Sequence, residues 1–346
     1  MNRLLDQILA GKSMTIDEAE GLVVEFSQGE TPAALVAGVL VALRSKGETP
    51  DEVAGFARGM LSRARRPALG DVRDACDVVG TGGDSSHSLN ISTGSAILAA
   101  SAGLRVVKHG NRSITSRSGS ADVLAELGLL MPMDEATAAE CLRHTGFTFL
   151  FAPHYHPAAA AVAPVRKALG VRTVFNMLGP MTNPARPGFG LIGAYSLPAA
   201  ELMAHAMSRM DVRRAFVVHS DNGWDEPTTM CPFHLFDVRE GRVSARRVDP
   251  RELGLSRGSE RDLAGGDAAH NARELRRALS PGEHGAGTHR DALVLNSALA
   301  LEVSGIAPST QEGIGRARAA IDSGAAEAIL KSLGEFGAKC RERAHG

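Results

Sequence analysis

Asp77-Val78-Val79-Gly80-Thr81-Gly82-Gly83-Asp84 carries an apolar strand into a glycine-rich turn that ends on a carboxylate. Shortly after it, Asn90-Ile91-Ser92-Thr93 opens an alanine-rich helix, and a second apolar strand runs into Lys108-His109-Gly110-Asn111-Arg112-Ser113. Glycines let backbone N–H groups come close to an anion. The start of the following helix adds unpaired N–H groups and a partial positive charge. Lys108 and Arg112 add full charges. Together these parts suit a phosphorylated ligand, above all a diphosphate cradled by Gly80 to Asp84, with Asn90, Ser92, Thr93 and Lys108 on its oxygens.

Each piece has a plainer explanation by itself. Gly80-Thr81-Gly82-Gly83 is also a tight turn: it lacks the Gly-Lys-Ser/Thr of a P-loop and the third glycine of a dinucleotide fingerprint. Asn90 to Thr93 is also a helix cap, since Asn, Ser and Thr are the preferred capping residues. A capped helix start can still receive an anion, so the two readings coexist.

Two further groups lie outside those loops. Asp225-Glu226 follows the apolar strand Ala215-Phe216-Val217-Val218 through a short polar loop. Most Asp-Glu pairs are solvated turns, but adjacent carboxylates at a strand end can hold a hard cation against a phosphate. Arg166, in the proline-marked stretch Ala163-Pro164-Val165-Arg166, offers a planar guanidinium that binds a carboxylate bidentately. His154 and His156 flank Tyr155, yet no third metal ligand stands nearby, and a structural role is the better expectation for His154.

The elements that must position these groups follow from pattern. Thr15 with Glu18 and Thr49 with Glu52 have the form of capping boxes. Thr31-Pro32 and Thr49-Pro50 each place a capping residue before a helix-starting proline. Apolar stripes at Leu35, Val36, Val39, Leu40 and Leu43, and at Val53, Phe56, Met60 and Leu61, predict about four helices before residue 70. Beyond Arg65-Arg66-Pro67 strands and helices alternate, with strands expected at Cys76 to Val79, Leu104 to Lys108, Phe147 to Phe151, Gly190 to Ala194 and Arg214 to His219. Such alternation predicts βαβ units and a mostly parallel central sheet flanked by helices, whose ligands sit beyond the carboxyl ends of the strands.

The expected fold is α/β: a small N-terminal helical domain (1–70, completed by two short helices within 157–185) and a large α/β domain (71–156 and 186–346). The Gly- and Pro-rich stretch from Ser280 to Thr288 is expected as a surface loop.

Composition agrees. The chain has 346 residues, 44% hydrophobic but only 4% aromatic, so its core must be built from Ala, Val, Leu and Ile. A net charge of -1 argues against broad attraction to nucleic acid. Cys76, Cys141, Cys231 and Cys340 lack metal-ligand spacing, as expected of reduced thiols in a cytoplasmic enzyme. No signal peptide is recognised, and no apolar run is long enough to cross a bilayer.

Almost from end to end, these segments resemble the anthranilate phosphoribosyltransferases, which join anthranilate to phosphoribosyl pyrophosphate (PRPP) in tryptophan synthesis. The resemblance includes the long stretch from Phe151-Ala152-Pro153-His154-Tyr155-His156-Pro157 to Arg172-Thr173-Val174-Phe175-Asn176-Met177-Leu178-Gly179-Pro180. It implies the fold shared by nucleoside phosphorylases and phosphoribosyltransferases, and a homodimer formed through the N-terminal helical domain. It also implies PRPP contacts at Ser120, an anthranilate channel lined by Gly80, His109, Asn111, His156, Arg166 and Gly179, and Mg²⁺ held by Ser92, Asp225 and Glu226. After Glu226 the sequence departs from the family pattern: Pro227-Thr228-Thr229-Met230-Cys231-Pro232-Phe233 replaces an Ile-Ser-x-x-Gly-Pro-Thr type of continuation. That departure leaves room for a related aromatic acid as acceptor. A pyrimidine nucleoside phosphorylase and a non-catalytic, nucleic-acid-binding relative are the alternatives; the intact glycine turn, the Lys108–Arg112 segment and the acidic pair favour PRPP.

Overall fold

The computed structural model describes residues 1–112, 117–282 and 287–345. The polar cluster's last residue, Ser113, and the middle of the 280–288 stretch lie outside them.

Four helices come first: α1 Asn2–Leu9, α2 Ile16–Ser27, α3 Ala33–Lys46 and α4 Pro50–Ser62. Thr15 and Thr49 start α2 and α4 with complete capping boxes closed by Glu18 and Glu52. Helix α3 departs from expectation: its cap position is Pro32, which has no side-chain donor or acceptor, and Thr31 lies outside it. Glu52 is fully buried, yet it accepts from the Met14 and Thr49 N–H groups and pairs with Lys46 at 2.9 Å, so its charge is compensated.

The α/β part follows: β1 Cys76–Gly80, α5 Ile91–Ser101, β2 Val106–Gly110, α6 Ser120–Glu126, α7 Glu135–Thr145, β3 Phe147–Phe151, α8 Ala152–Tyr155, α9 Pro157–Leu169, α10 Phe175–Leu178, β4 Phe189–Gly193, α11 Leu197–Met207, β5 Arg214–Ser220, β6 Phe233–Arg239, β7 Arg242–Val248, α12 Ala268–Leu279, α13 Gly287–Val303, α14 Thr310–Asp322 and α15 Ala325–His345. The seven strands form one sheet in the order β3-β2-β1-β4-β5-β6-β7. β1 to β5 are parallel; β6 and β7 are antiparallel. A chain that builds outward from β1 in one direction and then resumes at β4 in the other has its topological switch point between β1 and β4, where a ligand crevice opens.

Three sequence expectations need correction. The sheet has seven strands where five are expected, the addition being the hairpin β6–β7; Glu240 (φ 52°) and Gly241 (φ 73°) make its two-residue turn, both in the left-handed region that matches strand twist. β2 lies two residues later than expected, because Leu104 still donates to the Ala99 carbonyl in closing α5. α9 is a full helix of 13 residues and not a short one.

Helix α5 is buried along nearly its whole length, between the sheet and α13, α14 and α15. Its Ala96, Ala99 and Ala100 permit that close packing. On the other face, α9 packs against α2 and α3, and α10 against α4. The apolar core of this helical layer runs on into α11 and into the side of the sheet that carries Ile192, Ala215 and Val217. All four cysteines are free thiols. Among the described residues no helix is long and apolar enough to cross a membrane.

Candidate active site

The carboxyl ends of β1 and β4 meet at Gly80 and Gly193, which pair in register. The 220–226 loop lies directly across them. A Cβ on Gly193 would strike the Asp225 carbonyl oxygen, and one on Gly80 would strike the Asp225 carboxylate. Glycine at both strand ends is therefore what lets an acidic loop sit on the switch point. The turn beyond β1 needs glycine for another reason: Gly82 and Gly83 have φ of 65° and 73°. The Gly82 N–H donates to Asp225 Oδ2 at 2.7 Å, and the Thr81 N–H donates to the Gly193 carbonyl at 2.9 Å.

Three carboxyl groups converge there. Asp84 Oδ2 accepts from the Asp225 N–H (3.2 Å), and Glu226 Oε1 accepts from the Ser92 N–H at the start of α5 (2.7 Å). Asp225 and Glu226 are both held well above the usual carboxylate range, first by burial and then by the Asp84 charge. The nearest compensating cation is Lys108, only 1% exposed, whose ammonium donates to the Val78 carbonyl and to Ser92 Oγ (3.3 Å). Burial lowers its pKa, and Asp77, Glu226 and Asp225 oppose that shift.

One ammonium faces three carboxyl groups, Asp225 buried and Asp84 and Glu226 half-buried, so the site cannot hold all three ionised without a further cation, and the donors are hard oxygens. Such a set suits Mg²⁺, which keeps few protein ligands and shares its shell with phosphate. Among the described residues no three His, Cys, Asp or Glu side chains are arranged to hold a metal ion alone.

The expected phosphate-binding residues divide into two groups. Thr81 and Thr93 keep buried hydroxyls with no hydrogen-bond partner, while Ser92 is already tied to Lys108 and Glu226. Asn90 is engaged through its side chain: Oδ1 accepts from Ser118 Oγ (3.2 Å) and Asn271 Nδ2 (2.8 Å), and Nδ2 donates to the Ser118 carbonyl (3.1 Å). It makes no side-chain cap to α5, so the plain capping explanation fails for it. Ser120 begins α6 beside Asn111, whose carbonyl accepts from the Ala121 N–H. Asn111 itself is exposed.

The other face of β2 is a different environment. His109 and His156 are each 3% exposed, with ring centroids 5.0 Å apart. His109 Nδ1 lies 3.2 Å from the Gly179 carbonyl, and its Nε2 has no partner. Burial, with the His156 ring beside it, pushes His109 down to about 3; burial also lowers His156. Both imidazoles are therefore neutral at physiological pH, and an Nδ1–H donated to Gly179 leaves Nε2 of His109 as an acceptor. Arg166, on α9, is half-buried, stacks over Phe175 at 5.3 Å and has no carboxylate partner among the described residues. His154 lies apart from this group, with Nε2 at 3.0 Å from Glu135.

Three residues here escaped sequence reasoning. Asp77, on β1 beside β2, is 3% exposed and accepts from the His109 N–H (3.2 Å) and Asn183 Nδ2 (2.9 Å). Burial raises its carboxyl to about 6 against the pull of Lys108. Asn183 also donates to the Val107 carbonyl (2.8 Å), so it joins the 182–186 segment to β2. Arg172 reaches from the segment after α9 to the Gly83 carbonyl, stacks over Tyr195 at 4.2 Å, and has its own carbonyl bound by Arg44 of α3. Only Asp77 left a local signal, a carboxylate inside an apolar strand. The atypical loop after Glu226 is buried at Thr228 and Thr229 and pinned by Asn296 of α13, which donates to the Pro227 carbonyl at 2.7 Å.

Comparison with known proteins completes the picture. Residues 2–64 match the helical bundle domain of a glycosyl transferase family, and residues 72–327 match its α/β domain. The anthranilate phosphoribosyltransferase of Chloroflexus aurantiacus is 44% identical over 328 residues, 94% of this chain and 95% of that protein. The crystal structure of the Thermus thermophilus anthranilate phosphoribosyltransferase superposes with a TM-score of 0.89 at 37% identity, covering 96% of this chain and 98% of that one. The Saccharomyces cerevisiae enzyme in complex with PRPP and Mg superposes with a TM-score of 0.82 at 26% identity, covering 94% and 93%. The chain belongs to this glycosyl transferase family and, within it, to the anthranilate phosphoribosyltransferases.

Proposed function

We infer that the chain transfers the 5-phosphoribosyl group of PRPP to the amine of anthranilate, releasing pyrophosphate. The observation that carries this reading is the Asp84–Asp225–Glu226 cluster, buried at Asp225 and laid on two strand-end glycines, facing Lys108 and the start of α5. In this reading the PRPP site is formed by Gly80, Thr81, Gly82, Gly83, Asp84, Asn90, Ser92, Thr93, Lys108 and Ser120. The orphaned Thr81 and Thr93 hydroxyls support it, because phosphate oxygens would satisfy them. Ser92, Asp225 and Glu226 would hold Mg²⁺, which supplies charge neutralisation of the departing pyrophosphate.

As the ribose C1–O bond breaks, positive charge builds on the sugar and negative charge on the leaving group. Preorganised N–H groups of the glycine turn and the Lys108 ammonium stabilise the second. The acceptor amine is unprotonated at neutral pH, so the protein's task toward it is positioning. Arg166 would hold the anthranilate carboxylate, and His109, His156, Asn111, Gly179 and Gly80 would line its slot. The neutral Nε2 of His109 is suited to accept a hydrogen bond from the amine N–H. We further propose the domain division 1–70 with 157–185 against 71–156 with 186–346, a homodimer through the helical domain, and a cytoplasmic location. The test is loss of anthranilate fluorescence on mixing with the enzyme, PRPP and Mg²⁺, run beside substituted anthranilates and thymidine plus phosphate. Turnover of a substituted acid in preference to anthranilate would redirect the acceptor assignment; phosphorolysis of thymidine without PRPP turnover would overturn it.

A further inference from the structure

We propose that Asn271, on α12, is a positioning residue that fixes which end of the Asn90 amide faces the PRPP site. The inference rests on Asn90 being a PRPP contact.

An asparagine amide has two acceptor sites on oxygen and two N–H donors on nitrogen, and its shape fits either way round. For an anionic oxygen only one orientation serves, with NH₂ outward. Both acceptor sites of Asn90 Oδ1 are filled from the protein side, by Asn271 Nδ2 at 2.8 Å and Ser118 Oγ at 3.2 Å. One N–H of Asn90 goes to the Ser118 carbonyl at 3.1 Å. The other N–H has no partner among the described residues.

Asn271 is itself oriented by a group that cannot reverse. Its Oδ1 accepts the Gly266 backbone N–H at 2.7 Å, so its NH₂ must turn toward Asn90. The polarity thus runs from a main-chain donor through two amides to the ligand side, a chain in which each bond strengthens the next. The same strip braces the loop that carries the diphosphate cradle. The Gly265 N–H donates to the His87 carbonyl (2.9 Å), and the Leu89 N–H donates to the Leu263 carbonyl (3.1 Å). Asn271 is 1% exposed, so solvent does not compete for its amide in the intact fold.

Asn271→Asp keeps the size and the acceptor for Gly266 but removes the donor to Asn90. Its KM for PRPP should rise about tenfold, as for a buried group left facing a like partner, with KM for anthranilate unchanged. Asn271→Ser, which adds no charge, should act the same way if the aspartate variant folds poorly. A double-mutant cycle with Asn90→Ala separates positioning from general support: once Asn90 is gone, changing Asn271 should move the PRPP KM less than about twofold further. Multiplicative effects in the cycle, or equal rises in both KM values, would overturn the proposal. An Asn90→Ala variant with unchanged PRPP KM would instead remove the PRPP reading of Asn90 on which it stands.

Discussion

The two sides of β2 prepare for ligands in opposite ways. On the side of α5, polar groups are bound to one another: Lys108 to Ser92, Ser92 to Glu226, Asp225 to Gly82 and to Asp84. That side crowds carboxyl groups at high desolvation cost, and Asp225 and Glu226 resist ionising. On the other side, His109 Nε2 lacks a partner, Arg166 has no counter-ion among the described residues, and both histidines are driven neutral. One side awaits a cation to bridge groups already in place; the other awaits a ligand that completes unsatisfied valences. The contrast matches a reaction in which charge develops at the phosphate end while a neutral amine attacks from the other.

The strongest test of the contrast is Asp225→Asn with Glu226→Gln. The amide oxygens can still accept from Gly82 and Ser92, so the loop should stay in place. Turnover should fall about a thousandfold, the scale of losing both electrostatic stabilisation and the metal. Thermal stability without ligands should hold or rise, because two desolvated, mutually repelling carboxyl groups have been removed. Turnover within about threefold of the parent in Mg²⁺-dependent assays would show that the acidic side plays no part in leaving-group chemistry.

Arg166→Ala probes the opposite side with a smaller expected effect. Losing a charge-assisted, bidentate contact should raise KM for anthranilate about 10- to 100-fold, leaving KM for PRPP within about twofold. Arg166→Lys should fall between, since an ammonium keeps the charge but not the planar fork. Steady-state kinetics with each substrate varied in turn reads both values. An unchanged acceptor KM would show that its partly buried guanidinium serves only to stack on Phe175.

Much of this arrangement was legible in the chain. The glycine turn and the acidic pair each follow an apolar strand, so local residue types pointed to them, whereas Arg166 stood out within a proline-marked helix. The capping boxes at Thr15 and Thr49 were equally local. The hairpin β6–β7 also carries a local signal, alternating residues on either side of Glu240-Gly241. The start of β2 does not, because Leu104 reads as strand and is committed to the end of α5 by a backbone bond. Asn271, Asn183 and Arg172 were out of reach for a different reason. Asn271 meets Asn90 across 181 positions, Asn183 meets Asp77 across 106 and Arg172 meets Gly83 across 89. No spacing rule connects such pairs; only the switch in strand order does, by folding later segments back over the ends of β1 and β2.

The smallest expected effect concerns the neutral histidines. His109 has a folded-state pKa of about 3, depressed below its ordinary 6.5, so the stability it contributes is present above 6.5 and is lost as pH falls toward 3. Asp77 acts in the opposite sense, being raised from 3.8 to about 6: its contribution is present below 3.8 and is lost as pH rises through 6. Asp225 and Glu226 share that sense. The parent's melting temperature therefore sums opposed trends, and the useful quantity is a difference between variants that share every other group. His109→Gln can keep a donor to the Gly179 carbonyl while removing the titration. Between pH 7 and pH 5 it should lose less stability than the parent by about 2 kcal/mol, or roughly 3 °C in melting temperature. Thermal melts of both proteins across that range measure it. Parallel curves would mean that the imidazole takes up its proton inside the fold as readily as outside, and the neutral, unsatisfied character assigned to the acceptor side would fail with it.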